Sequence, residues 1–518
     1  MLESAEMGMK KIGFIGFAAV FLAVSAHSAY AKPRGESPKV SAASEGRAAP
    51  GGELRFGIAS EPATLDPLSS ANTADGRSIL FNVFEGLVKP APDGGFQPAV
   101  AESYEVDSGG LTYTFRLRRG VRFHDGSVVT AEDCLFSLNT AVQEGFNGFD
   151  RIEKAEIIGG DALRITLKTP DADFLPYLTI GITPKGNLDR EKNPIGTGPF
   201  LVERYDVQRS LVLARNPHYW RQGFPYLDRV TYAFIPDSEA LLLALKAGSI
   251  DCATITGSLV DQLDSGRFDI LPDPSHSVQV LVLNNAVSPL DDVRVRRAIN
   301  YCVDTQNIID AAFYGRGEPS GSPLIPGLRK YYDESLKNPY PADIEKAKGL
   351  LASAGYAEGF PLVITVPSNY AMHVDTAQVL AHQLEKIGVT VSIKLVDWAT
   401  WLSETYRGRR YTATVISLDA AVISPRGFLD RYVSGAGSNF INFSSSRYDE
   451  AYRQALSETD ENRRISLYKQ AQRIISEEAA SVYIQDIWRF MVFPKGRFAG
   501  VVTYPLYVTD FSTVYRIF

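Results

Sequence analysis

The sequence predicts a multi-domain α/β protein, on three observations. The chain has 518 residues, more than one hydrophobic core usually supports, so we expect two or three domains. Its composition, 45% hydrophobic and 22% charged, is typical of a soluble globular protein. Residues 342–396 alternate helical and strand patterns, the βαβ rhythm of a sheet covered by helices on both faces. The net charge of -7 is mild and gives no basic stripe for nucleic acid.

The N-terminal residues have the pattern of an export signal. Lys10 and Lys11 precede an apolar run over residues 12–26, and Ala29 and Ala31 occupy the positions that a signal peptidase reads. We therefore expect residues 1–31 to be a cleaved signal peptide. Residues 32–50 are rich in Ser, Ala, Gly, Pro and charge without a period, which predicts a flexible leader.

Two elements are predicted at the start of the mature chain. Residues 53–59 alternate as a half-buried strand, and a loop containing Ser60, Glu61 and two prolines follows. The apolar pattern of residues 79–88 predicts a helix.

The strongest local signals lie in residues 112–137. Residues 112–118 alternate between apolar and polar side chains, which predicts a strand, and a turn at Asp125 follows. Thr130 and Asp133 have the spacing of a capping box, which predicts that a helix begins there. His124 beside Asp125 could be a catalytic or metal pair, but with no third group in view we interpret it as a surface turn residue.

Residues 193–200, NPIGTGPF, predict an irregular loop, because two glycines and two prolines fall within eight residues. The loop lacks the third glycine, the lysine and the following helix of a phosphate-binding loop, so we do not expect nucleotide binding.

Regular elements follow in the second half of the chain. Helices are predicted at residues 238–248, 291–304, 344–354, 376–387 and 448–480, and strands at 279–284, 362–366, 391–396, 412–416 and 483–492. Trp398 and Trp401 come directly after one of these strands. They are either core residues or the lining of a pocket, since open α/β sheets bind ligands at the carboxyl ends of their strands.

The cysteines and histidines do not indicate a metal centre. The chain has three cysteines, Cys134, Cys252 and Cys302, and we interpret Cys134 and Cys302 as small buried apolar residues. Neither a Cys-x-x-Cys nor a His-x-x-x-His spacing occurs. We therefore predict no metal ligands and no cofactor.

Several of these motifs resemble those of a known family. FRLRRGVRFHDG with TAEDCLFS, then NPIGTGPF, LARNPHYW and DDVRVRRAINYCVD, are similar to segments of the extracytoplasmic solute-binding proteins of ABC transporters, family 5, whose members bind dipeptides, oligopeptides and nickel. The resemblance implies the periplasmic-binding-protein (Venus-flytrap) fold, with two lobes joined by hinge strands plus an extra α/β domain. By this resemblance, residues 51–85, 190–275 and 490–518 form lobe I, residues 86–189 the extra domain II, and residues 276–489 lobe III.

The same resemblance implies a function. A periplasmic monomer would bind a small ligand, most simply a di- or oligopeptide, and deliver it to an ABC transporter permease by cleft closure. A nickel-chelate, an opine or a sugar-conjugate is the alternative ligand. A secreted hydrolase is the competing class, but no Gly-x-Ser-x-Gly or His-Glu-x-x-His motif is present, and we predict no catalytic residues.

The candidate ligand-binding residues follow from the resemblance and from strand ends. Peptide-binding members place a carboxylate just before an Asp-Pro pair; here Ala421 occupies that position, and Asp419, two residues earlier, is the nearest acid for a peptide ammonium. Arg426 is either a fork for a ligand carboxylate or a surface arginine. The remaining candidates are Trp398, Trp401, Tyr432, Asn439, Ser60 and Glu61.

Overall fold

The structure is a computed structural model that describes residues 50–69, 74–146, 148–420, 424–504 and 508–517. The predicted signal peptide and the flexible leader up to residue 49 lie outside these ranges. No helix in the described ranges combines the length and the apolar character needed to cross a membrane.

The described residues form strands throughout the chain. In chain order these are β1 (Glu53–Ile58), β2 (Val88–Pro90), β3 (Phe96–Pro98), β4 (Ala101–Val106), β5 (Thr112–Leu117), β6 (Ile152–Ile158), β7 (Ala162–Leu167), β8 (Phe200–Asp206), β9 (Ser210–Arg215), β10 (Arg229–Phe234), β11 (Cys252–Thr256), β12 (Phe268–Leu283), β13 (Gly317–Pro319), β14 (Pro361–Pro367), β15 (Thr390–Val396), β16 (Ala413–Leu418), β17 (Ser481–Pro494), β18 (Phe498–Ala499) and β19 (Tyr515–Arg516).

Helices separate and cover these strands. They are α1 (Ala74–Leu80), α2 (Ala131–Gln143), α3 (Ser238–Ala247), α4 (Gly257–Val260), α5 (Val293–Cys302), α6 (Thr305–Phe313), α7 (Ile344–Ser353), α8 (Ala371–Leu384), α9 (Trp398–Thr400), α10 (Pro425–Leu429), α11 (Ser446–Ser457) and α12 (Glu461–Glu477). A π-helical turn, Trp401–Arg407, continues α9, and short 3₁₀ turns lie at Phe149–Arg151, Leu175–Thr179, Glu334–Leu336, Glu385–Ile387 and Asp430–Tyr432.

One large sheet runs through both lobes. Its strand order is β15-β14-β16-β12-β17-β11-β1-β10-β9-β8, and β13 pairs with β17. The long strands β12 and β17 pair from Phe268 opposite Pro494 to Val282 opposite Ser481, with bulges between. One half of this pair joins the β16 side of the sheet and the other half joins β11, so β12 and β17 are the strands that connect the two lobes.

Helices cover both faces of the sheet in lobe III. Val280 and Val282 of β12 belong to one hydrophobic core, with residues of α10, α11 and α12. Leu281 and Leu283 of the same strand belong to a second core, with residues of α5, α7 and α8. Successive side chains of one strand therefore enter different cores, as the βαβ rhythm predicted.

The extra domain has a separate sheet of order β4-β5-β7-β6. Its core includes Tyr113 and Phe115 of β5 and Leu138 of α2, all fully buried. The capping box that begins α2 is present: Thr130 accepts from the backbone N–H of Asp133, and the Asp133 carboxylate accepts from the backbone N–H of Thr130. The domain boundaries implied by the family resemblance remain predictions.

The helix predicted for residues 79–88 is wrong. The helix α1 ends at Leu80, and β2 begins at Val88. Between them Asn82 is buried and donates to the Tyr232 hydroxyl at 3.1 Å and to the Thr509 carbonyl at 2.7 Å. These partners are distant in the sequence, so the local apolar pattern could not indicate them. Their hydrogen bonds hold the chain around Asn82 in an irregular conformation.

Candidate ligand-binding cleft

The parallel strands of lobe I end at the crossing strands. β1 pairs in parallel with β10 and β11, so their carboxyl ends lie at one edge of the sheet. β11 is antiparallel to β17, and its last residue, Thr256, lies opposite Arg489, near the middle of β17. The loop after β1, with Ser60 and Glu61, therefore faces the crossing point of the two lobes.

The parallel strands of lobe III end at the same place from the other side. β14 pairs in parallel with β15 and β16. β16 is antiparallel to β12, and its last residue, Leu418, lies opposite Val278, near the middle of β12. Both lobes thus present the carboxyl ends of parallel strands to one point, where open α/β sheets bind ligands. We take this edge as the candidate cleft.

Buried ionisable side chains lie on the crossing strands at the candidate cleft. Asp273 of β12 lies opposite Arg489 of β17, and their side chains pair at 3.3 Å. Burial raises the pKa of Asp273 although Arg489 opposes the rise. Beyond Asp273 the strand bulges, and His276 there has a positive φ of 64°. Burial and the charge of Arg489 hold the pKa of His276 well below its ordinary value.

A buried amide network connects the crossing strands to α8. Gln485 of β17 donates to the Gln279 side chain of β12 at 2.9 Å. Gln279 in turn bonds the Thr376 hydroxyl at 2.9 Å and lies 3.1 Å from Nδ1 of His373, both on α8. Burial lowers the pKa of His373 to about 4. The network joins the crossing strands to α8 by buried polar contacts.

Asp419 lies where a ligand could contact it. It follows β16 directly, and its side chain is exposed. Its backbone carbonyl accepts a hydrogen bond from the Arg431 guanidinium. The carboxylate itself forms no hydrogen bond or ion pair with any side chain or backbone group in the described ranges.

Arg426 lies in a different environment from the one its sequence position implied. It is only 7% exposed, and its guanidinium donates to Asp171 of the extra domain and to Asp430 at 3.4 Å. Asp171 is 1% exposed and also lies 3.6 Å from Arg151. Arg426 is therefore a buried ion-pair residue that joins lobe III to the extra domain, rather than a surface arginine.

Trp398 and Trp401 divide between the two roles that the sequence left open. Their rings stack at 5.1 Å with an interplanar angle of 6°. Trp401 is a core residue, 3% exposed, and donates to the Thr414 hydroxyl at 3.0 Å. Trp398 is 38% exposed at the carboxyl end of β15, so this ring is the one available to a ligand.

Tyr432 and Asn439 are buried inside lobe III. Tyr432 is fully buried and belongs to the core on the α10, α11 and α12 side. Asn439 donates to the carbonyls of Val433 at 2.9 Å and Phe443 at 2.7 Å. Asn439 thus orders the loop that contains it.

Ser60 is exposed, whereas Glu61 has partners. The Glu61 carboxylate accepts from the Tyr205 hydroxyl at 2.8 Å and from the backbone N–H of Gln208 at 2.8 Å. These bonds hold the loop after β1 against the tip of the β8–β9 hairpin at the edge of the cleft. The structure thus brings Ser60, Glu61, Trp398 and Asp419 to the strand ends, and it buries Trp401, Arg426, Tyr432 and Asn439.

Comparison with known proteins agrees with this architecture. A family model described as bacterial extracellular solute-binding proteins, family 5 Middle, matches residues 95–440. The chain belongs to this family.

Individual relatives match over most of their length. The heme-binding protein A of Haemophilus influenzae is 30% identical over 427 residues, which cover 74% of this chain and 77% of the relative. A glutathione-binding protein of Salmonella choleraesuis is 28% identical over 477 residues, 85% of this chain and 92% of the relative. The structure of a periplasmic binding protein from Helicobacter pylori in complex with a peptide matches with a TM-score of 0.73 and 26% identity, covering 91% of this chain and 99% of that one. These relatives are named as binding proteins and not as enzymes.

Two motifs of this family 5 chain meet at His124, which is not the surface residue that the sequence indicated. The His124 Nδ1 accepts from the backbone N–H of Gly196 at 3.1 Å, and Nε2 lies 3.3 Å from the Gly198 carbonyl. Burial lowers the pKa of His124 to about 4, so the ring is neutral. His124 therefore binds the NPIGTGPF loop.

Two further motifs meet at Glu85, a residue that the sequence did not single out. Glu85 is 3% exposed and accepts from the Tyr219 hydroxyl at 2.8 Å, from Trp220 Nε1 at 2.5 Å and from Lys89 at 2.9 Å. The tyrosine and tryptophan belong to the LARNPHYW segment, 134 and 135 residues away. In the sequence, Glu85 stands out only as an acid in the apolar run of residues 79–88, directly before Gly-Leu.

The described ranges contain no group of three or more His, Cys, Asp or Glu side chains that could hold a metal ion. All three cysteines are buried free thiols. Burial raises the pKa of the Cys134 thiol, which is consistent with its predicted role as a small core residue.

Proposed function

We propose that this family 5 protein is a periplasmic receptor that captures a small ligand by closing its two lobes and delivers it to an ABC transporter permease. The supporting observation is that the parallel strands of both lobes end at the crossing strands β12 and β17. A ligand at that point touches both lobes only when they are closed, so its binding shifts the equilibrium toward the closed form.

The export pattern of residues 1–31 supports a periplasmic location. We propose an ABC transporter permease as the partner on the basis of the family relationship. The permease would recognise the surface that the protein presents when its lobes are closed. We further propose that the protein acts as a monomer.

We propose a di- or oligopeptide as the ligand. Similarity to a glutathione-binding protein and to a periplasmic protein solved with a peptide supports this choice. The exposed Asp419 carboxylate after the end of β16 is suited to bind a peptide ammonium. The partly exposed ring of Trp398 is suited to pack against a side chain of the peptide.

The proposal is tested by native mass spectrometry of protein purified gently from the periplasm, followed by denaturation to release the ligand. A set of small peptides of varied mass is the expected result. Asp419→Asn should lose these peptides, whereas Asp375→Asn, at an exposed position on α8, should retain them. A single non-peptide mass, or an isotope pattern of nickel, would contradict the peptide assignment and favour an opine, a sugar-conjugate or a nickel-chelate.

A further inference from the structure

The extra domain is closely packed against lobe I. Both ring nitrogens of His124, in the extra domain, contact the backbone of the NPIGTGPF loop. A Cβ added at Gly181 would lie 2.7 Å from the Cβ of Phe84 and 2.9 Å from the Cβ of Pro67, so the chain of the extra domain approaches lobe I as closely as a glycine allows. We therefore expect the extra domain to move together with lobe I.

The same domain also contacts lobe III, through residues 171–173, which follow β7. The Asp171 carboxylate is ion-paired with Arg426 of α10. The backbone N–H of Ala172 donates to the carbonyl of Leu456 of α11 at 2.9 Å. Two successive residues of the extra domain are thus bound to two different helices of lobe III.

Asp173, the third residue of this segment, is buried against a third helix. It is 6% exposed and accepts a hydrogen bond from the Tyr468 hydroxyl of α12 at 3.2 Å. The titratable and charged groups that act on Asp173 come from every element packed around it: Asp171 of the same segment, Tyr113 of β5, Tyr331 of the loop before α7, Arg426 of α10, and Arg464 and Tyr468 of α12. Both signs of charge therefore meet at Asp173 in a site with little water.

Polar groups make this contact between the extra domain and lobe III. The Thr459 hydroxyl donates to the Ser108 carbonyl at 3.3 Å, and Arg151 lies 3.9 Å from Asp430. The hydrophobic cores of the two parts have no residue in common in the described ranges. The two parts can therefore separate at this contact while each keeps its own core.

We propose that residues 171–173 form a latch, which closes onto α10, α11 and α12 when the lobes close and separates from them when the lobes open. Lobes I and III are connected by β12 and β17, so they open by a change of angle at these strands. Because the extra domain moves with lobe I, that change separates it from lobe III. The contacts of the latch favour the closed form even without ligand, and their free energy adds to that of ligand binding. The inference rests on the proposed function and specifies how closure is regulated.

Asp173 couples the latch to pH. Burial and the neighbouring charge of Asp171 raise the pKa of Asp173 from an ordinary value of 3.8 to about 6. In the open form this carboxyl would be in water and would have its ordinary pKa. Between about pH 4 and pH 6 the closed form therefore binds a proton at Asp173 that the open form does not bind, so acid favours closure. Burial also raises the pKa of Asp171, which acts in the same direction.

The test measures the distance between the lobes in protein stripped of ligand, so it needs no known ligand. A fluorophore pair on Val207→Cys/Asn369→Cys, at exposed positions of lobe I and lobe III, reports this distance. We expect Arg426→Gln to lower energy transfer, because the ratio of closed to open protein should fall at least about tenfold. Arg463→Gln, on an exposed arginine of α12, is the matched control and should behave as the wild type.

The pH dependence distinguishes a latch from a contact that only stabilises the fold. In the stripped wild type, the ratio of closed to open protein should rise about tenfold between pH 7 and pH 5. Asp173→Asn cannot bind this proton and should remove most of the rise. Glu102→Gln, on an exposed acid of β4 in the same domain, should keep the full rise.

The other outcomes are equally decisive. Equal energy transfer in the wild type and Arg426→Gln would overturn the latch, and a rise that Asp173→Asn retains would overturn its coupling to pH. If ligand leaves the distance in the wild type unchanged while Arg426→Gln lengthens it, capture by closure fails and the latch stands. A Val207→Cys/Ser249→Cys pair within lobe I should give constant transfer. If that pair changes in Arg426→Gln, Tyr468→Phe replaces it as the test variant, and wild-type transfer between the lobes in Tyr468→Phe would then overturn the latch.

Discussion

At the scale of single residues, charge pairing separates arginines that the sequence makes look alike. The sequence left Arg426 as either a fork for a ligand carboxylate or a surface arginine. Its partner, Asp171, is 255 residues away, and no local sequence pattern predicts such an ion pair. Arg431, in contrast, is half-buried and donates to the backbone carbonyl of Asp419. The sequence could not indicate these partners, because they depend on contacts formed only in the folded chain.

Replacing Arg426 should therefore cost stability. Arg426→Gln leaves Asp171, which is 1% exposed, without its closest cation, and breaking such a buried pair costs about 3 kcal/mol or more. The measurement is the free energy of unfolding in urea. Arg463→Gln, whose side chain is 75% exposed, should change it by less than about 1 kcal/mol. If Arg426→Gln and the wild type unfold alike, the buried pair has no structural role.

The half-buried histidine of the FHDG motif gives a prediction about acid stability. Burial lowers the pKa of His124 from an ordinary value of 6.5 to about 4. Between these two pH values the unfolded chain binds a proton at His124 and the folded protein does not. The stability contribution of His124 is complete above pH 6.5 and is lost as the pH falls to about 4, by about 3 kcal/mol. NMR titration of the imidazole should show it neutral at pH 5. A midpoint for His124 near 6.5 in the folded protein would contradict this environment.

At the scale of elements, local sequence patterns predicted helices and strands correctly where the stabilising contacts are also local. They failed where contacts between distant residues determine the backbone conformation. The alternation in β5 and the capping box of α2 are complete within a few residues, and both were predicted correctly. The helix predicted for residues 79–88 was wrong because Asn82 and Glu85 take partners more than 100 residues away. Likewise, the predicted strand at residues 279–284 is only the second half of β12, since the first half continues through a bulge.

The capping box gives an element-scale prediction. Thr130→Ala removes the acceptor for the Asp133 backbone N–H and should lower the free energy of unfolding by about 1 kcal/mol. Thr130→Ser keeps a hydroxyl and should stay near the wild type. Equal loss in both variants, measured by urea unfolding, would show that the methyl group rather than the cap is responsible.

The glycines of NPIGTGPF allow a close backbone approach. A Cβ on Gly198 would lie 2.6 Å from the carbonyl carbon of Val83, whereas a Cβ on Gly186 meets nothing within 4 Å. Gly198→Ala should therefore destabilise the protein by about 2 kcal/mol, and Gly186→Ala should not. Thermal unfolding of the two variants side by side checks this; comparable midpoints would contradict the close packing.

At the scale of the whole molecule, the strands β12 and β17 determine where a ligand can be enclosed. They run through both lobes, and the strand ends of each lobe face their midpoint. The α/β class followed from the rhythm of the sequence, but the crossing pair joins segments about 200 residues apart, and only the family resemblance implied it. The domain boundaries stay predictions, because one sheet continues from lobe to lobe.

The most direct test of the clamp is the distance between the two lobes with and without ligand. Val207 at the tip of the β8–β9 hairpin and Asn369 after β14 are exposed at opposite sides of the cleft, and the native thiols are buried, so Val207→Cys/Asn369→Cys accepts a fluorophore pair. We expect energy transfer to rise when the co-purified ligand is added back to stripped protein, and to stay constant for a Val207→Cys/Ser249→Cys pair within lobe I. Stoichiometric ligand binding with no change in transfer between the lobes would contradict capture by closure.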